Sequence, residues 1–466
     1  MQVTVGNQLR IENPSEQLLT WCKKQLILPN PEYAKKVRMH FWVGNTPEKL
    51  YLFQWDGDTL VLPYGCLNDV LAMGDCHTKV DLPIPTEVDF GCTIPLYDYQ
   101  VEAKEALITA YYGILQAPAG CGKTQIGIAV AADTGRRTLW LTHTRDLLVQ
   151  SKSRAEQYMS PSLTGTITEG RVQIGKAITF ATVQTMCNLD LSQYRDVWDC
   201  IIVDECHRVA GTPTAMTQFS KVLNALAARH KYGLSATVHR ADGMIAATYA
   251  LLGGIAYQVP DEAVKDKIMT VSVLPRAPHQ GLSREFLDTD GTIIYAKLVN
   301  FLADRYDRNE LIAADLVENQ DHYNLILSDR LNHLEYLMNH LPRQLREQAV
   351  MIDGKMTTKK AKAIREQAIE EMRQGRKRYL FATYSLAKEG LDIPRLDRLY
   401  LTTPQKDYAV ITQSIGRIAR TFEGKGEPIA YDYVDDGIQY LVRSYKKRCT
   451  TYRKCGCKFI EQEVSK

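Results

Sequence analysis

Apolar residues recur in two different rhythms along this chain. From residue 1 to about 90, short strand-like runs at 1–5, 37–43, 50–55 and 59–62 surround one helix-period stretch at 14–26. Pro29, Pro31, Pro47 and the Gly57-Asp58 turn punctuate them, which predicts a small α+β domain. From Pro95 the rhythm becomes alternation. A strand at 113–116 and a helix at 123–133, closed by Gly135, open a series whose further strands fall at 138–142, 177–181, 200–203 and 231–235. A second series has strands at 325–327, 349–352, 378–382, 399–401 and 429–433, with helices at 331–341 and 358–374. Nearly continuous apolar strands alternating with helices specify parallel sheets covered on both faces. The expected organisation is α/β: an accessory domain over 1–90, a first lobe over 91–258, a less regular connecting segment over 259–320, a second lobe over 321–436, and a basic tail over 437–466.

Composition narrows the class without changing this picture. The 466 residues are 45% hydrophobic and 24% charged, as in folded globular proteins and unlike disordered or fibrous ones. The net charge of +3 permits a nucleic-acid partner without requiring one, because a cleft can be basic on a balanced exterior. The eleven cysteines show no disulfide framework. The first twenty residues lack a basic start and apolar run, and no segment is apolar for the ~20 residues a membrane helix needs. The expectation is a cytoplasmic, membrane-free monomer.

Three clusters carry chemistry. Ala117-Pro118-Ala119-Gly120-Cys121-Gly122-Lys123-Thr124 joins a predicted strand to a predicted helix, the setting in which backbone N–H groups and a helix N-terminus cradle phosphate. Lys123 would reach the outer phosphates of ATP, and the Thr124 hydroxyl would hold Mg²⁺. The first position of the usual phosphate-loop pattern is here Ala117 instead of Gly. Asp204-Glu205-Cys206-His207 ends the apolar strand at 200–203, where one carboxylate can hold Mg²⁺ and its neighbour can orient or deprotonate water. Gln413, Gly416, Arg417 and Arg420 share one face if 413–420 is helical. That face is either a solvated stripe or a pair of arginine fingers acting on γ-phosphate charge across an interlobe cleft.

Taken in order, these motifs resemble those of a superfamily-2 helicase of the DEAD/DEAH type over roughly residues 95–435. The resemblance implies two tandem RecA-like lobes, ATP and Mg²⁺ as cofactors, and further roles by position. Gln100, after Tyr97, would read adenine, although relatives often carry Arg where Tyr97 stands. Gly390 and Asp392 would meet the nucleotide along with residues 119–124. Thr144, Arg145, Thr182, Gln184, Arg240, Ser328, Arg330 and Thr383 would touch the nucleic-acid strand. His207, Ser235 and Thr237 would couple hydrolysis to movement. The run from Ser235 through His239-Arg240-Ala241-Asp242-Gly243, with Arg308-Asn309, is similar to the XPB and UvsW-like DNA translocases of phages and bacteria. That similarity implies ATP-driven 3′→5′ tracking on DNA, with unwinding or branch migration of forks and junctions in replication, recombination or repair. Alternatives are an RNA helicase or R-loop remodeller, and an ATP-gated nucleic-acid clamp in a defence or assembly system.

Other features stay open or recede. Cys449, Cys455 and Cys457 match no common zinc spacing. The basic, tyrosine-bearing run at 443–458 reads either as a solvated helix face or as a phosphate-contacting one. Lys23, Lys24, Lys35, Lys36 and Arg38 lie near Trp42, Tyr51 and Trp55. They form either a core with a solvated rim, or a surface that holds duplex or branched DNA.

Overall fold

The computed structural model describes residues 1–118, 120–209, 213–236, 244–264, 268–278, 286–288, 291–353, 359–388 and 391–460. They divide into two compact units, residues 1–118 with 122–263, and residues 119–121 with 264–466.

The first unit holds the N-terminal region and the first α/β lobe. Strands Gln54–Asp56, Thr59–Pro63, Gln8–Glu12, Gln2–Val5 and His77–Val80 form a five-stranded sheet in that order. Helix Glu16–Gln25 packs Leu18 and Cys22 against it, with Ser15 accepting the Leu18 N–H at 3.2 Å as its N-cap. Two expectations fail here. Residues 37–43 are not a strand: helix Pro31–Arg38 takes the first of them, because Asn30 caps it by accepting the Glu32 N–H at 3.0 Å and Pro31 pre-sets its first turn. Residues 50–55 are not one strand but parts of two, Lys49–Tyr51 pairing with Ile27–Pro29 and Gln54–Asp56 pairing with Thr59–Pro63.

The lobe's sheet runs Arg171–Gln173, Thr164–Thr168, Ile178–Thr182, Thr138–Thr142, Cys200–Asp204, His230–Ser235, Tyr112–Gln116, Ile255–Gln258. It is parallel apart from the first hairpin. Burial on both faces explains the unbroken apolar strands: all five residues of Cys200–Asp204 are buried. The N-terminal sheet is not independent of this lobe. Tyr112 and Ala250 belong to its apolar core, and Tyr64 meets Tyr112 edge-on at 5.4 Å. Lys231, wholly buried, donates to the carbonyls of Asn7 (3.2 Å) and Leu223 (2.9 Å) and lies 4.8 Å over the Tyr64 ring. Burial pulls its ammonium down to about 7.

The second unit is a seven-stranded parallel sheet ordered Ala349–Ile352, Tyr379–Thr383, Asn324–Ser328, Arg398–Leu401, Ile429–Tyr433, Ser272–Arg276, Lys458–Phe459. The expected connecting segment therefore supplies a sheet strand, Ser272–Arg276, and two helices, Tyr295–Ala303 and Tyr306–Glu318. Pro275 and Arg276 made that strand hard to see, because they interrupt its apolar run. The tail is likewise partly core. Helix Gln439–Lys454 buries Tyr452 and Arg448, and Arg448 grips both oxygens of Asp432 at 2.8 Å. No helix among the described residues is long and apolar enough to cross a membrane.

Candidate nucleotide and strand site

The phosphate loop follows strand Tyr112–Gln116 and ends in helix Lys123–Thr134. Gly120 and Gly122 are left-handed, with φ of +89° and +82°, which turns successive N–H groups inward. At Gly122 the φ of +82° strains any other residue, and a Cβ there would also push aside the side-chain ends of Gln100 (2.4 Å) and Gln125 (2.6 Å). Lys123 reaches back over the loop, donating to Ala117 O (3.3 Å) and Pro118 O (3.4 Å). Thr124 is half-buried in the first turn, and Cys121 is fully buried filler. Gln100 is buried, and its Oε1 accepts the Tyr97 N–H at 3.0 Å. Tyr97 is half-exposed and stacks on Tyr99 at 5.9 Å. These left-handed glycines, the retracted lysine and the helix start fit the polyphosphate of a nucleotide.

Asp204 and Glu205 end strand Cys200–Asp204, beside this loop. Burial, then repulsion from Glu205, raises the Asp204 carboxyl, while Lys123 works the other way. A divalent cation would offset that buried negative charge, and Asp204 with Thr124 would be the groups to hold it. Bound there, Mg²⁺ supplies positive charge to the phosphates. Ser151, a residue no sequence motif flagged, donates to Asp204 Oδ2 at 3.3 Å from helix Arg145–Ala155. Glu205 takes a left-handed backbone, φ +49°, with its carboxylate 3.2 Å from His207 Nδ1. The same His207 nitrogen lies 3.0 Å from Ser235 Oγ. A carboxylate, an imidazole and a hydroxyl thus connect the end of one central strand to the end of the next.

The expected strand-contacting residues of the first unit divide by burial. Thr144 caps helix Arg145–Ala155, accepting the Leu147 N–H at 3.4 Å. Arg145 is half-exposed and pairs with Glu169 at 2.9 Å, and Gln184 is exposed, donating to His143 O at 2.9 Å. Thr182 is buried, its hydroxyl donating to Thr185 Oγ1. Ala119, Thr237, Arg240 and Gly390 lie outside the described residues.

In the second unit, Ser328 is a correction to the expected surface contact. It is fully buried, its hydroxyl 3.1 Å from His333 Nδ1 and accepting the Arg330 N–H, so it fixes the strand end internally. Arg330 is tied to Asn300 Oδ1 at 2.6 Å, and Thr383 lies 2.9 Å from Ser385 Oγ. Helix Tyr408–Ile418 carries Gln413, Gly416 and Arg417, but Arg420 lies beyond its end. The reason is Lys425, whose ammonium takes the carbonyls of Ile418 and Arg420, each at 2.7 Å, and stops the helix there. Arg420 forms an ion pair with Asp392, and Arg417 donates to Leu391 O at 2.8 Å. Gln413 Oε1 is buried with no hydrogen-bond partner among the described residues, an acceptor held in reserve.

Two family models match the chain: the res subunit of type III restriction enzymes over residues 93–240, and the helicase conserved C-terminal domain over residues 308–422. "Probable helicase D10" of Escherichia phage T5 is 25% identical, the alignment covering 100% of this chain and 97% of that one. A protein of Sulfurisphaera tokodaii named DNA 3′-5′ translocase XPB2 is 25% identical over 73% of this chain and 81% of its own. Among solved structures, Dbp5 of S. cerevisiae bound to RNA and ADP BeF3 superposes with a TM-score of 0.51 at 16% identity, covering 78% of this chain and 94% of that one. That likeness concerns the fold alone.

Proposed function

Since the chain is an ATP-dependent superfamily-2 helicase related to the XPB translocases, we propose that it tracks 3′→5′ along one strand of DNA and thereby unwinds or branch-migrates forked and junction DNA. The observation that carries the motor reading is the Glu205–His207–Ser235 chain beside the phosphate loop. In it Glu205 orients or deprotonates the attacking water. His207 and Ser235 pass the resulting change to the segment after Ser235, which includes Thr237 and Arg240. Lys123, with the N–H groups of residues 119–124, binds and orients the phosphates, and Gln100 and Tyr97 bound the base. Arg417 and Arg420 neutralise developing γ-phosphate charge, and Gln413, Gly390 and Asp392 complete the nucleotide contacts. Thr144, Arg145, Gln184, Arg330 and Thr383 follow the strand backbone, which carries no sequence information.

The choice of DNA and of direction rests on the relative named a DNA 3′-5′ translocase, whose match covers 73% of this chain. The test compares ATP turnover with single-stranded DNA, forked DNA and RNA, and then strand displacement on duplexes with a 3′ or a 5′ tail. DNA stimulation with displacement restricted to 3′ tails is expected. Preferential stimulation by RNA would replace this reading with an RNA helicase, and ATP-dependent binding without displacement would replace it with a clamp.

A further inference from the structure

Strands Ile27–Pro29 and Lys49–Tyr51 form the stem of an arm, residues 30–48, on the first unit. Leu28 and Leu50 anchor the stem on Met216, Met244 and Ala247 of the lobe. The arm is internally tied. Asn30 donates to Pro47 O at 2.8 Å, its backbone N–H to Glu48 O at 2.9 Å, and Lys36 donates to Thr46 Oγ1 at 2.6 Å.

Its tip nevertheless presents Val37, Met39, Phe41 and Trp42 to solvent, with Trp42 88% exposed. Single exposed apolar residues are ordinary, but four within six positions, ending in a nearly bare tryptophan, mark a binding surface. The chain turns back close to the indole at Gly44, φ +51°, where a Cβ would stand 3.0 Å from the ring edge. The indole stands beside a groove of about 410 Å³ that Lys36, Asn45 and Thr217 also line. Across the arm Lys35, Lys36 and Arg38 outnumber Glu32 and Glu48; Lys36 is paired with Glu32 at 3.4 Å, while Lys35 and Arg38 are exposed.

A flat, exposed aromatic face beside basic side chains suits a base whose phosphates pass alongside, and such stacking tolerates any sequence. A second copy suits it less well, because a two-fold contact through the tip would set Lys35 and Arg38 against their own counterparts. We propose that Trp42, flanked by Phe41, is a stacking platform for an unpaired DNA base at the boundary between single and double strand, held there by Lys35 and Arg38. This rests on the reading of the chain as a DNA motor.

The experiment uses the intact protein and a forked DNA duplex bearing 2-aminopurine at the first unpaired base. Wild-type ATP turnover is measured first; if no DNA stimulates it, the motor reading fails, and this inference with it. Given stimulation, the wild type should quench the probe. Trp42→Ala should lose the quenching and bind the fork at least about fivefold more weakly, while Trp42→Phe recovers part of both. Circular dichroism and sedimentation of each variant report fold and oligomeric state. Quenching and affinity of Trp42→Ala at wild-type values would overturn the platform while leaving the motor intact. A wild-type dimer that Trp42→Ala converts to monomer, with fork binding unchanged, would also overturn it in favour of a contact between copies.

Discussion

At the scale of single residues, Lys123 and Glu205 have separable duties that follow from their surroundings. Lys123 is poised over the phosphate loop by two carbonyls, which phosphate oxygens would displace. Lys123→Ala should therefore lose ATP turnover in a folded protein, measured by phosphate release. Glu205 faces His207 at 3.2 Å, as a group acting on water would, so Glu205→Gln should keep nucleotide binding and lose at least about a hundredfold in turnover. Equal loss of binding would assign Glu205 another role. Lys231 makes a prediction about stability. Its folded value near 7 lies below the ordinary value of 10.5, so between those pH values the unfolded chain binds a proton that the folded chain does not. Stability from this group then rises with pH across that window. Buried thiols such as Cys22, pushed up to about 11, act in the opposite direction, so the comparison must be with a variant. The melting temperature of wild type minus that of Lys231→Met should increase from pH 7 to 10, and a constant difference would show that Lys231 stays charged.

At the scale of elements, the end of helix Tyr408–Ile418 matters more than its face. A continuous helix would set Arg420 on a stripe with Gln413 and Arg417. The Lys425 ammonium instead closes the helix, and Arg420 leaves it paired with Asp392. The ion pair with Asp392 would hold Arg420 in place without acting on turnover, whereas an arginine finger contributes several orders of magnitude to turnover. Arg420→Ala should thus lower DNA-stimulated ATP turnover by at least about a hundredfold, and retention within about threefold, far below that range, would remove the finger role. The basic tail shows the same lesson. Arg448 and Tyr452 in helix Gln439–Lys454 close on Asp432, so part of a run that reads as solvated or phosphate-binding is an internal brace.

At the scale of the molecule, residues 1–90 should be inseparable from the first lobe. An independent accessory domain could be removed and leave an intact motor. Here removal would bare Tyr112 and Ala250 and strip Lys231 of the Asn7 carbonyl and the Tyr64 ring. Each large apolar side chain uncovered costs about 1.5–3 kcal/mol. A chain lacking residues 1–90 should accordingly melt at least about 10 °C lower, or fail to fold. Calorimetry of the truncated chain decides this, and an unchanged melting temperature would restore the independent domain.

Much of this protein is fixed locally. The central parallel strands of both lobes, the glycines and lysine of the phosphate loop and the paired acids at a strand end are legible because each is written within a few consecutive residues, where periodicity and backbone conformation leave little choice; strands such as Thr164–Thr168 and Ile255–Gln258 are not. The sequence alone also determined the helicase family. The tertiary structure decided what depends on distant partners. It made Ser272–Arg276 a sheet strand, because the parallel strand Ile429–Tyr433, 157 residues further on, supplies its hydrogen bonds. It brought Ser151 to Asp204, buried Ser328, and ended a helix with a lysine from a later loop. It also decided that Trp42 faces water while Trp140 and Trp198 lie in the core. Identical side chains carry no mark of their burial, because burial is set by what the rest of the chain packs against them.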